Sequence, residues 1–163
     1  MSLVKGPFTL KWGENTLLDV SEVGFNYDVA SNDYETIDGR TYTIDGAITC
    51  TIDVTLLATD TAALGAVFPQ YYVAEGSPMS TGEIAPEGGA IDIVAASCDT
   101  ANTNYDLDII ACTGETTRLV NARTSLSSVD LADNSLRTVQ VTFRGEPEQG
   151  EGILQFFSGS LES

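Results

Sequence analysis

Residues Gly39–Pro69 read GRTYTIDGAITCTIDVTLLATDTAALGAVFP, and the fold turns on how this stretch is read. In its first half Tyr42, Ile44, Ile48, Cys50, Ile52, Val54 and Leu56 share one parity, with a single gap at Gly46, while Thr41, Thr43, Asp45, Thr49, Thr51, Asp53 and Thr55 share the other. A period of two puts successive side chains on opposite faces of a strand, here one dry and one wet. At about 3.3 Å per residue the run extends roughly 50 Å, far past the usual strand of about five or six residues. A small compact sandwich has no use for such a strand. The period then changes: Thr59 and Asp60 are helix starters, and Ala63, Leu64, Val67 and Phe68 fall at helical spacing before Pro69 ends the run. The stretch therefore predicts a long amphipathic strand feeding one short amphipathic helix.

Immediately upstream, Val23, Phe25, Tyr27 and Val29 alternate with Glu22, Gly24, Asn26 and Asp28, a natural pairing partner for the long strand. Between the two lies ASNDYETIDGR, Ala30–Arg40, whose polar residues and Asp38-Gly39 read as a loop longer than a tight hairpin needs, one that reaches for a partner. Residues 1–11, with Lys5 and Lys11 around Pro7, Phe8 and Leu10, read as an N-terminal arm. Downstream of Pro69, the prolines, glycines and tyrosines up to Ala90 describe an irregular excursion. Alternation resumes at Ile91–Ala95 and at Tyr105–Ala111, with Thr100–Asn104 as the turn between them. Residues 116–138 fit short strands or loops equally well. Val139, Val141 and Phe143, a Gly/Glu/Pro turn from Gly145 to Gly152, and Ile153–Phe157 then read as a closing hairpin. The expectation is one mainly β domain over residues 1–163, a barrel or sandwich with long amphipathic strands and one short flanking helix.

The net charge of −17 is unevenly spread. Residues 1–40 hold three basic and seven acidic side chains, 41–117 none and eleven, and 118–163 four and six. A middle segment without Lys or Arg argues against holding nucleic acid through its phosphates, while such a surface repels a polyanion well. There is no apolar run of about 18 residues and no basic, apolar start of the secretory kind, so synthesis in a cytoplasm is expected, with no membrane span.

The chain contains no histidine, which removes Ser-His-Asp and Cys-His catalysis and His-ligated metals. No phosphate-binding glycine loop or dinucleotide fingerprint occurs either. Asp106 with Asp108, or Glu146 with Glu148, have the chemistry for acid and base work on a glycoside, but carboxylate pairs arise by chance among 24 acidic residues. Asp33, Glu35 and Asp38 invite a calcium reading that fails because Ile37 stands where a ligand is needed. No enzyme, metal or cofactor is expected. Trp12 and the tyrosines raise a sugar-binding reading, yet Tyr27, Tyr42 and Tyr105 share parity with aliphatic neighbours, which predicts core packing.

Across most of its length the chain resembles the bacteriophage tail tube, or major tail, proteins. The likeness is carried by LLDVSEVGFNYDVASNDYETIDGRTYTIDGAITCTIDVTL, by ATDTAALGAVF and by the closing VQVTFRGEPEQGEGILQFF. It implies a homo-oligomer of hexameric rings stacked into a tube in the virion, with tail sheath, tape-measure and tail terminator proteins as further partners and DNA passing through without specific binding. Related tubes serve contractile injection systems and type VI secretion. The resemblance places Glu22, Asn26, Asp28, Thr41, Thr43, Asp45, Thr49, Thr51 and Asp53 on an acidic lumen wall. It places Asn32, Asp33, Tyr34, Glu35, Asp38 and Arg40 of the inter-strand loop at a subunit interface, and makes Arg40, Arg118, Arg123, Arg137 and Arg144 candidates for pairs between subunits. The competing expectation is a monomeric extracellular β-sandwich that binds carbohydrate or decorates a virion.

Three cysteines are too few and odd in number for a disulfide framework. Cys50 shares the apolar parity of its strand and is expected to be buried and inert. Cys98 and Cys112 are expected nearer a surface or interface, where they remain thiols, pair within the chain, or form an intersubunit disulfide once a particle leaves the reducing cytoplasm.

Overall fold

The computed structural model describes residues 6–17, 20–57, 60–94, 103–131 and 137–158, apart from the side chains of Ile44 and Asp45. Its strands are β1 (Phe8–Trp12), β2 (Asn15–Leu17), β3 (Val20–Glu35), β4 (Thr41–Leu57), β5 (Tyr72–Val73), β6 (Ala90–Ile91), β7 (Asn104–Ala111), β8 (Thr116–Asp130), β9 (Thr138–Gly145) and β10 (Leu154–Phe157). One sheet runs in the order β2-β1-β7-β8-β9-β4-β3, with β10 also on β8, and β5 and β6 form a separate small pair. The expected helix is α1 (Thr61–Val67), started where Asp60 accepts a hydrogen bond from the Ala63 N–H at 2.9 Å, and it buries Val67 against the core. Residues 95–102, with Cys98 and most of the expected turn before β7, fall outside the described residues.

The large sheet curls around its apolar side. The Trp12 ring on β1 meets the Phe143 ring on β9 at 5.9 Å between centroids, although three strand spacings of about 4.8 Å would hold them roughly 14 Å apart in a flat sheet. The Trp12 indole N–H also donates to the Ala122 carbonyl at 3.1 Å, so the ring is satisfied as well as buried. Cys50, Ile52, Val54, Leu107, Leu119, Val139, Val141 and Phe143 complete the cluster from β4, β7, β8 and β9. The curl does not reach a closed barrel: β2 and β3, the two ends, are not paired with each other among the described residues.

Three expectations change. Residues 116–130 are one long strand, unreadable as such because its alternation is reset twice. The buried positions Leu119 and Ala122 are three residues apart instead of two, since a bulge opposite Tyr105–Leu107 puts Asn121 at φ 52°. Its cost is offset locally: the Asn121 N–H donates to Asp106 at 2.9 Å, and its side-chain amide donates to the Glu146 carbonyl at 2.7 Å. A second register shift lies between Leu126 and Ser128.

β9 and β10 are no hairpin either. Both pair antiparallel with β8, β9 over Ala122–Asp130 and β10 over Thr116–Leu119, so they form one line of strand interrupted by the 146–153 excursion. Finally, Ala30–Arg40 is mostly strand. β3 continues to Glu35, and only a five-residue connection remains, closed by the Thr36 N–H to the Arg40 carbonyl at 2.8 Å and the Gly39 N–H to the Thr36 carbonyl at 3.1 Å.

The β3–β4 hairpin thereby outruns the core. β9 accompanies β4 only over Thr51–Leu57, and past Cys50 the core side of the hairpin is open: Ile48 is 45 % exposed, against 0 % for Cys50 and Ile52. Core packing, expected for Tyr27, Tyr42 and Tyr105, fails for Tyr27, 57 % exposed, and for Tyr42, whereas the half-exposed Tyr105 ring packs edge-on against buried Trp12 at 5.1 Å between centroids. Truncating the centre of the core and the projecting hairpin should therefore differ sharply in cost. Phe143→Ala should lose about 3–5 kcal/mol, and Tyr27→Ala less than about 1 kcal/mol, in denaturant unfolding of the isolated chain. Equal losses would place Tyr27 in the core after all.

Candidate functional site

Strand register assembles one continuous polar surface on the side of β3, β4, β9 and β8 that faces away from the core. Reading across the four strands, Glu22, Thr55, Gln140 and Ser128 form one row; Gly24, Asp53, Thr142 and Ser125 the next; Asn26, Thr51, Arg144 and Arg123 a third. Asp28 with Thr49 extends it along the hairpin. Each member is directly opposite its neighbour, and opposed residues point to the same face. Asp53 sits at the centre, accepting from the Asn26 amide at 3.1 Å and from the Thr142 hydroxyl at 2.7 Å. Ser128 and Gln140 add a side-chain link of 3.1 Å.

Six of the nine expected wall residues belong to this surface: Glu22, Asn26, Asp28, Thr49, Thr51 and Asp53. Thr41 and Thr43 do not. Between Val29 and Ser31 the pairing advances two residues on β3 but three on β4, from Ile48 to Asp45, so β4 carries a bulge at Gly46–Ala47. Above it the parity of β4 is reversed relative to β3. Thr43 and Thr41 lie opposite Asp33 and Glu35 on the core side, where the Thr43 hydroxyl donates to Asp33 at 2.7 Å, and Asp45 is in register with Ser31. Tyr34 and Tyr42, directly opposed, take the polar side instead. Sequence reasoning missed Gln140, Thr142, Arg144, Ser125, Ser128 and Arg123, although the wet parity of Gln140, Thr142 and Arg144 was visible. What was lacking was the register that sets β9 beside β4.

The charge of the surface is graded rather than uniformly acidic. Glu22 and Asp28 lie on β3, whereas Arg144 and Arg123 lie at the β9–β8 end. Arg123 is bound to Glu146 at 2.7 Å; Arg144 is exposed and has no ion pair among the described residues. Arg118 is likewise engaged within its own chain, by Asp108 at 2.7 Å and Asp106 at 3.8 Å, and the hydrogen bond to Asp108 holds its pKa above the ordinary value. Arg118 and Arg123, expected as candidates for pairs between subunits, thus each have an acidic partner within their own chain. These pairs also occupy the carboxylates with the best claim to acid and base chemistry: Asp106 and Asp108 on Arg118, Glu146 on Arg123. Among the described residues no cluster of carboxylates and thiols has metal-binding geometry.

The expected interface residues Asn32, Asp33, Tyr34 and Glu35 stand on β3 itself, with Asp38 and Arg40 in the turn, 3.6 Å apart and largely exposed. Neither the outer edge of β3 nor the edge of β8 past Arg123, away from β9, has a strand beside it among the described residues. The sheet block thus ends in two open edges. Such edges are templates for another strand.

A search by sequence finds no matching family model and no matching curated protein. Comparison of folds is informative. The anti-feeding prophage tube-terminating cap aligns over 96 % of this chain and 95 % of its own, with a TM-score of 0.55 at 10 % identity. The chain has the tail-tube fold. A component of the sheath-tube complex of an extracellular contractile injection system matches over 91 % and 87 % of the two chains, with a TM-score of 0.53 at 12 % identity. A tail protein of a gene transfer agent particle, in a tail with C6 symmetry, matches over 93 % and 94 % with a TM-score of 0.51 at 11 % identity. In this chain Cys50 is buried, and burial pushes its thiol above the ordinary value, whereas Cys112 is exposed with its sulfur 3.4 Å from the Gly6 carbonyl oxygen. A disulfide from Cys98 to Cys112 involves a residue outside those described. In a Cys98→Ser chain, a thiol reagent should modify Cys112 at once and Cys50 only on unfolding. Prompt reaction of both would mean the core opens readily around β4.

Proposed function

We propose that the chain is the structural subunit of a hollow tail tube, joined head to tail into rings that stack. The observation that carries this reading is the four-strand block β3-β4-β9-β8, polar on one face, closed by the core on the other, and open at both edges. When the β3 edge of one copy lies along the β8 edge of the next, the contact is heterologous, and repeated about an axis it closes into a ring. Backbone hydrogen bonds then continue from copy to copy, which is β-augmentation used for assembly. The C6 symmetry of the gene transfer agent tail supports six copies.

In such a ring the polar surface lines the lumen. Glu22, Asp28 and Asp53 give it negative charge, and Arg123 is already neutralised by Glu146. Duplex DNA sliding past meets hydroxyls, amides and carboxylates, and Arg144 is the one exposed cation of the described polar rows for its phosphates to meet. The role is structural rather than enzymatic, in the tail of a phage or a related particle, with sheath, tape-measure and terminator proteins as natural neighbours. The second reading, a monomeric binding module, draws on the exposed tyrosines alone.

Purified chain should form rings or tubes of one diameter in negative-stain images; a strict monomer at high concentration that binds a glycan overturns the proposal. Glu22→Lys with Asp28→Lys alters two exposed residues, so folding and tubes should survive. The variant tubes should retain duplex DNA at low salt and release it as salt rises, since each added lysine gains a phosphate contact. Wild-type tubes that hold DNA equally well would remove the repelling lumen.

A further inference from the structure

The rows of the polar surface are not alike in charge. Glu22 stands in the first and Asp53 in the second, and Asp28 with Thr49 lies on the far side of the third. That third row, Asn26, Thr51, Arg144 and Arg123, holds both arginines and no carboxylate. Neighbouring rows are two residues apart along each strand, roughly 7 Å. A narrow basic strip thus crosses an acidic face. Arg123 and Arg144 are directly opposed on β8 and β9, an arrangement that is destabilising for like charges. One carboxylate relieves it: Glu146 binds Arg123 at 2.7 Å, and Arg144 is exposed without an ion pair among the described residues. Asp53, diagonal to Arg144 across β4 and β9, already accepts from Asn26 and Thr142. In a chain of 24 acidic and seven basic side chains, an arginine pair with one carboxylate keeps a positive charge that folding alone does not call for.

Resting on the tube reading above, we propose that Arg144 is a phosphate-binding residue of the lumen, whose guanidinium, with the Thr51 hydroxyl opposite it in the row, takes a backbone phosphate of duplex DNA. The site recurs once in each copy. A planar guanidinium presents paired N–H donors that match two phosphate oxygens, and a threonine hydroxyl is a further donor of the kind that holds backbone phosphates. Neither reads sequence. The Asp53 and Asp28 rows on either side repel the same phosphates, so the contact is confined to this row and stays weak enough for a duplex to slide. β8 lies between Arg144 and the edge that the next copy joins, so a carboxylate of that copy has a strand to cross before it reaches the guanidinium. A phosphate in the lumen has none.

The test uses assembled tubes of wild type, Arg144→Gln and Arg144→Lys, and follows co-sedimentation of a short labelled duplex as salt is raised. Each phosphate contact makes affinity fall about 3.5-fold for a fourfold rise in salt. Wild type and Arg144→Lys should hold the duplex weakly at the lowest salt and lose it at least that steeply, whereas Arg144→Gln should hold several-fold less and depend less on salt. Equal retention by wild type and Arg144→Gln at every salt, none by either included, overturns this inference and leaves the tube standing. An Arg144→Gln chain that unfolds like wild type but forms no rings also overturns it, by assigning the guanidinium to a neighbouring copy. So does a loss of polyglutamate binding with duplex retention unchanged, which assigns the row to an acidic peptide. A wild-type chain that never leaves the monomer overturns the tube reading and this inference together, and is recognised before any variant is made.

Discussion

Everything in this fold depends on the mismatch between the length of the β3–β4 hairpin and the width of the core beneath it. The core closes over Cys50, Ile52, Val54 and Leu56, where β9 lies beside β4, and it stops there. A strand pair that continues for another ten residues has no apolar layer to rest on, yet it keeps aromatic and aliphatic side chains in alternation. Burying a side chain such as Ile48 is worth about 1.5–3 kcal/mol. Left in water that gain is forgone, and the hairpin is held only by its own ladder and by links such as Thr43 to Asp33.

The same mismatch explains what could be read from the chain and what could not. Alternation marked the second half of β4, β7 and β9, because each makes an unbroken period-two contact with the core, and it marked β3 although Phe25 and Tyr27 on that strand are exposed. The α1 start was legible in Asp60, whose carboxylate caps the Ala63 N–H as its position suggests. β8 was not, since bulges at Asn121 and near Ser128 reset its phase and make buried Leu119, Ala122 and Thr124 look aperiodic. Asn32–Glu35 looked like loop because polar residues on both faces are the signature of a strand with no core as well as of no strand at all. Tyr27 was misplaced for the converse reason, and Tyr42 because the bulge turns it to the polar side. Parity tells which side a residue takes, and only register tells whether anything lies there.

Register also decided the candidate surface. The threonines and aspartates of Gly39–Pro69 form one stripe on paper, but the bulge at Gly46–Ala47 sends Thr41 and Thr43 to the other face, and β9 and β8 supply what the sequence could not place. Asp53 illustrates the difference. As a wet-face carboxylate it was one of several interchangeable charges; with Asn26 and Thr142 both donating to it, it ties the three strands β3, β4 and β9 together on the solvent side.

Tying strands on both faces has a mechanical consequence for a wall that is one sheet thick. Apolar contact secures the block from the core side, whereas the opposite face is secured by polar links that tolerate water, so hydration of that face does not weaken it. Charge follows the same logic. The carboxylates of β3 and the unpaired Arg144 of β9 lie toward opposite margins of the block, so in the head-to-tail ring proposed above the acidic margin of one copy would face the more basic margin of the next. Isolated surface pairs are worth only about 0–1 kcal/mol each. In that proposal they would act less through their strength than through sign: like margins repel, and the head-to-tail order is the arrangement that charge favours.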